Sequence, residues 1–349
     1  MGKNNKNNKN NKKNKKSREP FISLCTPTFN RRPFIPFMIK CFEHQTYPKD
    51  RIEWIIIDDG TDPIEDLVKD IPQVKYFYYD EKMLLGKKRN LMHTKCSGDI
   101  IIYMDDDDYY PPERISHAVE TLQNNPKFLI AGSSEMHIYF DSRNAVFQCG
   151  PYKEYHSTAA TFAFKKELLS QTNYDDEIAL SEENKFTKGY TIPLIQLNSL
   201  KSILVFSHKH NSLNKEKLLE NPEQTKTVPS PYTVDDFIMD PILKQFYMYD
   251  MNPLLENYEP GRPKYKPKLL EQIKKMEEER AKRLEAHNTM LQAQQKLLSY
   301  YNPINNDIKV IHDEYEKKIS DKNLIISELL KRIKQLTLEL DSFKSSSSI

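Results

Sequence analysis

Residues 99–110 read DIIIYMDDDDYY. The isoleucines, Tyr103 and Met104 make a run apolar enough for a strand buried on both faces, and it ends in four adjacent carboxylates. Alternate residues of an extended chain share a face, so Asp105 and Asp107 are expected to point together and Asp106 and Asp108 away. Two carboxylates aimed at one spot resist double ionisation unless a cation lies between them. A hard divalent ion, Mg²⁺ or Mn²⁺, shared with phosphate oxygens of a substrate, meets that demand. The same residues also suit an acidic turn, because PPERI at 111–115 begins a helix that Asp108 could cap.

Working outward, FISLC (21–25), IEWIIID (52–58) and KYFYYD (75–80) are further short β-rich runs. FIPFMIKCFEHQ (34–45) and KKRNLMHTKC (87–96) lie between runs and carry helical spacing. LIAGSSEMHIYF (129–140) reads as a strand, TAATFAFKKELL (158–169) as a strand entering a helix, and SILVFSHKH (202–210) as a late strand. Strands alternating with helices predict an α/β fold: a Rossmann-type, mainly parallel sheet with helices on both faces. In such sheets ligands bind beyond the carboxyl ends of strands where strand order reverses. Three predicted strands end in polar groups: Thr26-Pro27-Thr28-Phe29-Asn30-Arg31, Asp58-Asp59-Gly60-Thr61, and Asp105 to Asp108. Three such ends on one edge describe a site.

The 349 residues allow one substantial core with accessory segments. The net charge of +2 conceals an asymmetry: MGKNNKNNKNNKKNKK carries seven lysines and no acid, leaving the rest at about −5. That balance argues against a nucleic-acid-binding body. The low-complexity tail (1–19) is expected to be disordered, either a solvated segment or a basic tether. Cys25, Cys41, Cys96 and Cys149 lack CxxC spacing, which predicts reduced thiols and neither a disulfide frame nor a zinc site. No transmembrane run, signal sequence or Golgi-type anchor is read in the chain, so a cytoplasmic protein is expected. The Asn/Lys bias hints at an AT-rich genome, such as that of a large DNA virus or a protist.

The globular domain is expected over 20–245, with a boundary near 115, then a Pro/Tyr-rich linker at 246–268 and a helical region at 269–344. Within that region Ile319, Ile326, Ile333 and Leu340 alternate with Lys322, Leu329, Leu336 and Phe343 at 3,4 spacing. This predicts a parallel two-stranded coiled coil at about 308–343, and hence a homodimer; a lone amphipathic helix packed on the body is the alternative.

FISLCTPTFNRR, WIIIDDGTD and GKKRNLMHTKCSGDIIIYMDDDDYYPPERI together resemble the nucleotide-sugar-binding half (20–115) of family 2 glycosyltransferases of the GT-A fold. The resemblance weakens through 116–245, the acceptor half, and stops before the helical tail. It implies that Thr26, Pro27 and Thr28 meet the nucleotide, with Arg31 close by. Asp59 would read the nucleobase beside Asp58, and Gly86, Lys88, Arg89 and Asn90 would form a block through which Arg89 nears the diphosphate. Asp105 and Asp107 match its Asp-x-Asp, Asp107 foremost toward the metal and Asp105 and Asp106 toward the donor. Singly, Asp58 or Asp59 could cap the next segment and Arg89 could be a helix-face cation. Glu182-Glu183 stands where the family carries a catalytic Glu-Asp, making Glu183 the expected base and Glu182 the second choice. His208 or His210 would complete the metal shell or meet a phosphate, and His156 would line the acceptor pocket.

The leading expectation is a metal-assisted transferase moving a sugar from a nucleotide-diphosphate donor, with UDP the expected nucleotide, to a glycan, protein or lipid hydroxyl with inversion. Two other classes remain: an Mg²⁺-dependent phosphohydrolase or nucleotidyltransferase, and a non-catalytic coiled-coil scaffold. An aspartyl-phosphate phosphatase usually places its acids after the first strand, where this chain has TPTFN.

Overall fold

A computed structural model describes residues 19–301 and 305–346; residues 1–18 of the expected tail lie outside it. The strands are β1 (Ile22–Thr28), β2 (Ile52–Asp58), β3 (Val74–Tyr78), β4 (Ile100–Tyr103), β5 (Ile130–Gly132), β6 (Met136–Phe140), β7 (Ala145–Cys149), β8 (Ala163–Lys165), β9 (Leu194–Gln196), β10 (Leu204–Ser207) and β11 (Thr227–Pro229). The helices are α1 (Ile35–Glu43), α2 (Glu65–Val68), α3 (Leu85–Lys95), α4 (Arg114–Asn124), α5 (Glu183–Phe186), α6 (Lys217–Glu220), α7 (Pro222–Thr225), α8 (Pro241–Gln245), α9 (Met251–Asn257), α10 (Pro267–Tyr301) and α11 (Asn305–Ser346).

The main sheet runs β3-β2-β1-β4-β8-β5-β9, with β3, β2, β1 and β4 parallel and β8 antiparallel to both its neighbours. Side-chain alternation explains why β2 is apolar throughout. Trp54 and Ile56 face a core shared with α1, α2 and α4, whereas Ile55 and Ile57 face another built on α3, Phe164 and Phe186. Helices thus cover both faces, as the sequence predicts. The chain steps outward from β1 through β2 to β3, then returns to the far side of β1 as β4. This reversal opens a crevice beyond Thr28 and Tyr103, where ligands bind in open α/β sheets.

Three expectations need correction. The single strand expected at 129–140 is two, β5 in the main sheet and β6 in a second sheet of order β10-β6-β7-β11, because the Ser133-Ser134 turn separates them. The helix expected after β8 is only a 3₁₀ turn, Lys166–Ser170. The linker expected at 246–268 is packed structure. Phe246, Tyr247, Met251 and Leu255 are buried in the core, with Phe246 stacked on Phe37 of α1. Two prolines open helices, Pro241 with its Asp240 cap and Pro267 at the start of α10.

The chain divides into compact units at Lys275 and Met276. The second unit contains α11, which spans the predicted coiled-coil segment as a continuous helix. All four cysteines are free and buried. Among the described residues no helix is long and apolar enough to cross a membrane.

Candidate active site

Beyond Tyr103 the backbone leaves the strand and bends through Asp106, Asp107 and Asp108, so strand alternation no longer sorts the four acids. Asp105, Asp106 and Asp107 all line one cavity of about 290 Å³ at the crevice. Asp108 turns inward and accepts the amide of Phe206 in β10 at 3.2 Å. It does not cap a helix, since α4 begins only at Arg114. Its work is to hold the acid loop against the second sheet.

The three cavity acids differ electrostatically. Burial raises the Asp105 carboxyl, with Arg89 at 3.7 Å opposing it. Burial and the neighbouring Asp107 charge push Asp106 up to about 7. Burial would raise Asp107 too, but Arg31 at 3.2 Å and His208 at 3.3 Å outweigh it and hold this carboxyl well below the ordinary carboxylate range. Asp107 therefore remains an anion by virtue of its partners.

Arg31 lies within 3.6 Å of Asp106 as well and donates to the His210 carbonyl at 2.8 Å. Arg89, on α3, spans from Asp105 to Glu182, whose Oε1 lies 3.0 Å from its Nε. Its guanidinium also stands over the Tyr103 ring at 4.4 Å. One buried cation thus joins the acid loop to the Glu182-Glu183 pair at the start of α5. The rest of α3 fixes that geometry. Gly86 donates to the Ile178 carbonyl at 2.9 Å, and a Cβ there would sit 1.9 Å from the Asp175 carbonyl oxygen. Asn90 donates to the Tyr174 carbonyl at 3.0 Å. Glycine and asparagine at these positions seat the loop that delivers the glutamates.

Glu183 is the freer acid. Burial, then the Glu182 charge, push its carboxyl up to about 7, and Tyr190 donates a hydrogen bond to it at 3.3 Å. His156 packs its ring on Tyr190, with centroids 4.7 Å apart, and so lies beside the glutamates through that tyrosine.

Other expected site residues divide between cavity and scaffold. Pro27, Thr28, Arg31, Lys88 and Arg89 line the cavity. Asp59 stands behind it, accepting Lys88 Nζ at 2.5 Å and the Met83 amide at 2.7 Å. Asp58 is fully buried and accepts Gly60 N, Ile64 N and the Tyr76 hydroxyl, so it builds the turn after β2 and does not face the cavity. Thr26 likewise lies inside the sheet, donating to the Met104 carbonyl at 2.7 Å and accepting Trp54 Nε1 at 2.9 Å. Thr26→Val strands both partners in the core and is expected to cost about 1–3 kcal/mol of stability, read by chemical denaturation. A loss under about 0.5 kcal/mol would show that those partners re-pair without it.

His208 and His210 part company. Burial, partly offset by Asp107, lowers His208 to about 4, so its ring is neutral where Nε2 meets Asp107. His210 turns toward Gly261 and Tyr258, and neither ring nitrogen has a hydrogen-bond partner. The structure does not bring its imidazole to the acid cluster, because the Gly261 approach holds the ring on the other side. Among the described residues no three His, Cys, Asp or Glu side chains form a ready-made metal cage. A two-residue set of Asp107 and His208 nonetheless fits a divalent ion that takes its remaining ligands from substrate oxygens and water. Asp105 Oδ1 and Asp106 Oδ2 nearby are buried without hydrogen-bond partners.

Besides Phe29 of the β1 end, the cavity holds groups outside those motifs: Lys82, Ser212 and the Lys266-Pro267-Lys268-Leu269 run. Lys82 lies over the Phe29 ring, and burial lowers it to about 8. A Lys-Pro step opening a helix was the available signal for the last group.

Comparison with known proteins finds similarity over the N-terminal part of the chain. Residues 23–157 match the model of glycosyl transferase family 2. A GalNAc(5)-diNAcBac-PP-undecaprenol beta-1,3-glucosyltransferase of Campylobacter jejuni is 33% identical over 110 residues, 30% of this chain and 33% of that protein. A Methanococcus voltae dolichyl N-acetyl-alpha-D-glucosaminyl phosphate 3-beta-D-2,3-diacetamido-2,3-dideoxy-beta-D-glucuronosyltransferase is 28% identical over 114 residues, 31% of this chain and 35% of that protein. The match thus spans about a third of the length of these relatives. Among solved structures, S. aureus TarS with UDP-GlcNAc aligns with TM-score 0.45 and 17% identity over 53% of this chain and 58% of that one. The Pyrobaculum calidifontis mannosyltransferase PcManGT with GDP-Man and Mn²⁺ gives 0.44 and 17% over 54% and 57%. The segment that carries β1 to β7 and the acid loop is thus the part of this chain similar to glycosyl transferase family 2.

Proposed function

We propose that this chain is a metal-assisted glycosyltransferase that moves a sugar from a nucleotide-diphosphate donor, UDP-linked, to a hydroxyl acceptor by single displacement. The Arg89 bridge carries this reading: it sets the acid loop and the glutamate pair at one site, as donor cleavage and acceptor deprotonation require. Arg31, Lys88 and Arg89 offer positive charge to the donor phosphates, while Pro27 and Thr28 form the wall beneath them. Asp107 and His208 would hold the divalent ion, Mn²⁺ or Mg²⁺, with Asp105 and Asp106 beside it, and the bound ion would stabilise negative charge on the departing diphosphate. Glu183 takes the acceptor hydroxyl's proton, and its raised carboxyl is matched to that work near neutral pH. Glu182 is committed to Arg89 and positions its neighbour. Release of UDP from a panel of UDP-sugars, with Mn²⁺ and with EDTA, tests the reading. Release from none of them, with phosphate freed from a chromogenic ester instead, would move the protein to the phosphohydrolases.

We also propose that α11 pairs with a second copy as a parallel two-stranded coiled coil. Ile319, Ile326, Leu329, Ile333, Leu336 and Leu340 of the single chain are all exposed, and such a stripe stabilises a helix chiefly when another helix covers it. Phe343 has its side chain outside the described residues. Light scattering on eluted full-length protein should give twice the chain mass, and Ile326→Asp with Ile333→Asp should give a monomer that still binds UDP. A monomeric parent chain would overturn the dimer.

A further inference from the structure

The segment from Tyr258 to Gln272, expected as the end of a linker and the start of the helical region, closes one side of the cavity. At one end the Tyr258 hydroxyl donates to Asp62 at 2.8 Å, and Asn30 donates to the Pro260 carbonyl at 2.9 Å. Gly261 lies so close that a Cβ would come within 2.5 Å of His210 Nδ1 and 2.7 Å of the Asn30 carbonyl oxygen. At the other end Gln272 accepts the Ala179 amide at 3.0 Å and donates to the Glu177 carbonyl at 2.7 Å. The two anchorages reach different loops, one after β1 and β2 and the other before α5. Between them Lys266, Pro267, Lys268 and Leu269 line the same cavity as Arg31, Lys82 and Asp105 to Asp107.

Lys266 is unusual for a lysine in being 8% exposed, with its ammonium 3.1 Å from Ser212 Oγ. A buried ammonium with one neutral partner, sharing a cavity with Arg31 and Lys82, is costly unless an anion joins it. The next residues open α10, where Pro267 has no amide hydrogen, Leu270 N donates to the Lys266 carbonyl, and the Lys268 and Leu269 amides at the positive pole lack carbonyls within the helix. Independently, Arg31, which lines the same space, has its Nη1 buried and without a hydrogen-bond partner, on a side chain only 5% exposed. Lys266, Arg31 and the start of α10 thus give the cavity a cationic side facing its acids, suited to a compact, multiply charged anion that a divalent ion joins to those acids.

We propose that Lys266 and the first turn of α10 grip the diphosphate of the donor opposite Arg31, making residues 258–272 a working wall of the donor site. The proposal rests on the reading of this cavity as a nucleotide-sugar site, and it adds a binding residue from outside the matched family region.

The test is calorimetric titration of the full chain and its Lys266→Met variant with UDP, in EDTA and in Mn²⁺, alongside saturation-transfer NMR with uridine. Expected is an affinity for UDP about tenfold weaker in the variant with an unchanged uridine signal, since only the phosphate grip is lost. Equal or tighter UDP binding by a folded Lys266→Met protein overturns the inference and would mark the lysine as a packing element or a plug. Should that variant unfold, Lys266→Arg decides: UDP affinity within about threefold of the parent supports a cationic grip, and a loss of tenfold or more counts against it. Failure of the parent chain to bind UDP at all, with or without Mn²⁺, would instead overturn the donor-site reading itself and the inference with it.

Discussion

Asp107→Asn is expected to lower metal-dependent sugar transfer about 10³-fold, near 4 kcal/mol of transition-state stabilisation, while the protein stays folded. Asp107 is the one cavity acid whose charge is secured by its partners, Arg31 at 3.2 Å and His208 at 3.3 Å. Asp105 and Asp106 are pushed toward their neutral forms by burial, so neither offers an equally ready anion to an incoming divalent ion. Asparagine keeps the shape and an acceptor oxygen but removes the charge. Arg31 retains Asp106 as an ion-pair partner, so the fold should survive. The checks are UDP release with Mn²⁺ titrated from zero and a circular dichroism melt of the same sample. Full metal-dependent turnover in the variant would sink the assignment of Asp107.

Glu183→Gln should reduce kcat about 10²- to 10⁴-fold and leave the donor KM nearly unchanged. The residue lies outside the group lining the donor cavity, yet Arg89 and Glu182 keep it beside the acids. Its pH dependence gives a second signature. A general base works only when ionised, and burial with the Glu182 charge pushes this carboxyl up to about 7. Activity of the parent enzyme should therefore fall about tenfold per pH unit below 7, from loss of the ionised form, and level off above it. The residual activity of Glu183→Gln should not show that step. If Glu182→Gln alone abolished the step, the proton acceptor would be Glu182.

The two glutamates also show where local pattern stops being informative. As neighbours in LSEENKF they are equivalent by composition; what separates them is Arg89, 93 residues earlier, which ties Glu182 and leaves Glu183. Histidines 208 and 210 share one motif, yet Gly261 draws one ring away while Asp107 holds the other. Thr26 and Asp58 sat at the right strand ends but spend their polar atoms on the sheet and its turn. Spacing along a chain locates a strand end; it does not say which atoms there already have partners.

What the sequence determined by itself was the alternation of apolar runs and helical periods, and with it the parallel sheet, the crevice and the edge where acids and cations gather. These follow from short-range rules, since strand and helix periodicity decide which face of each element is buried. What only the tertiary structure decided was which charges are paired, which acid stands free, and that a Pro-rich stretch thought to be a spacer packs as a wall of the cavity. Such outcomes depend on contacts between residues as distant in sequence as Asn30 and Pro260. Burial and charge pairing are properties of the assembled environment, so no local pattern encodes them.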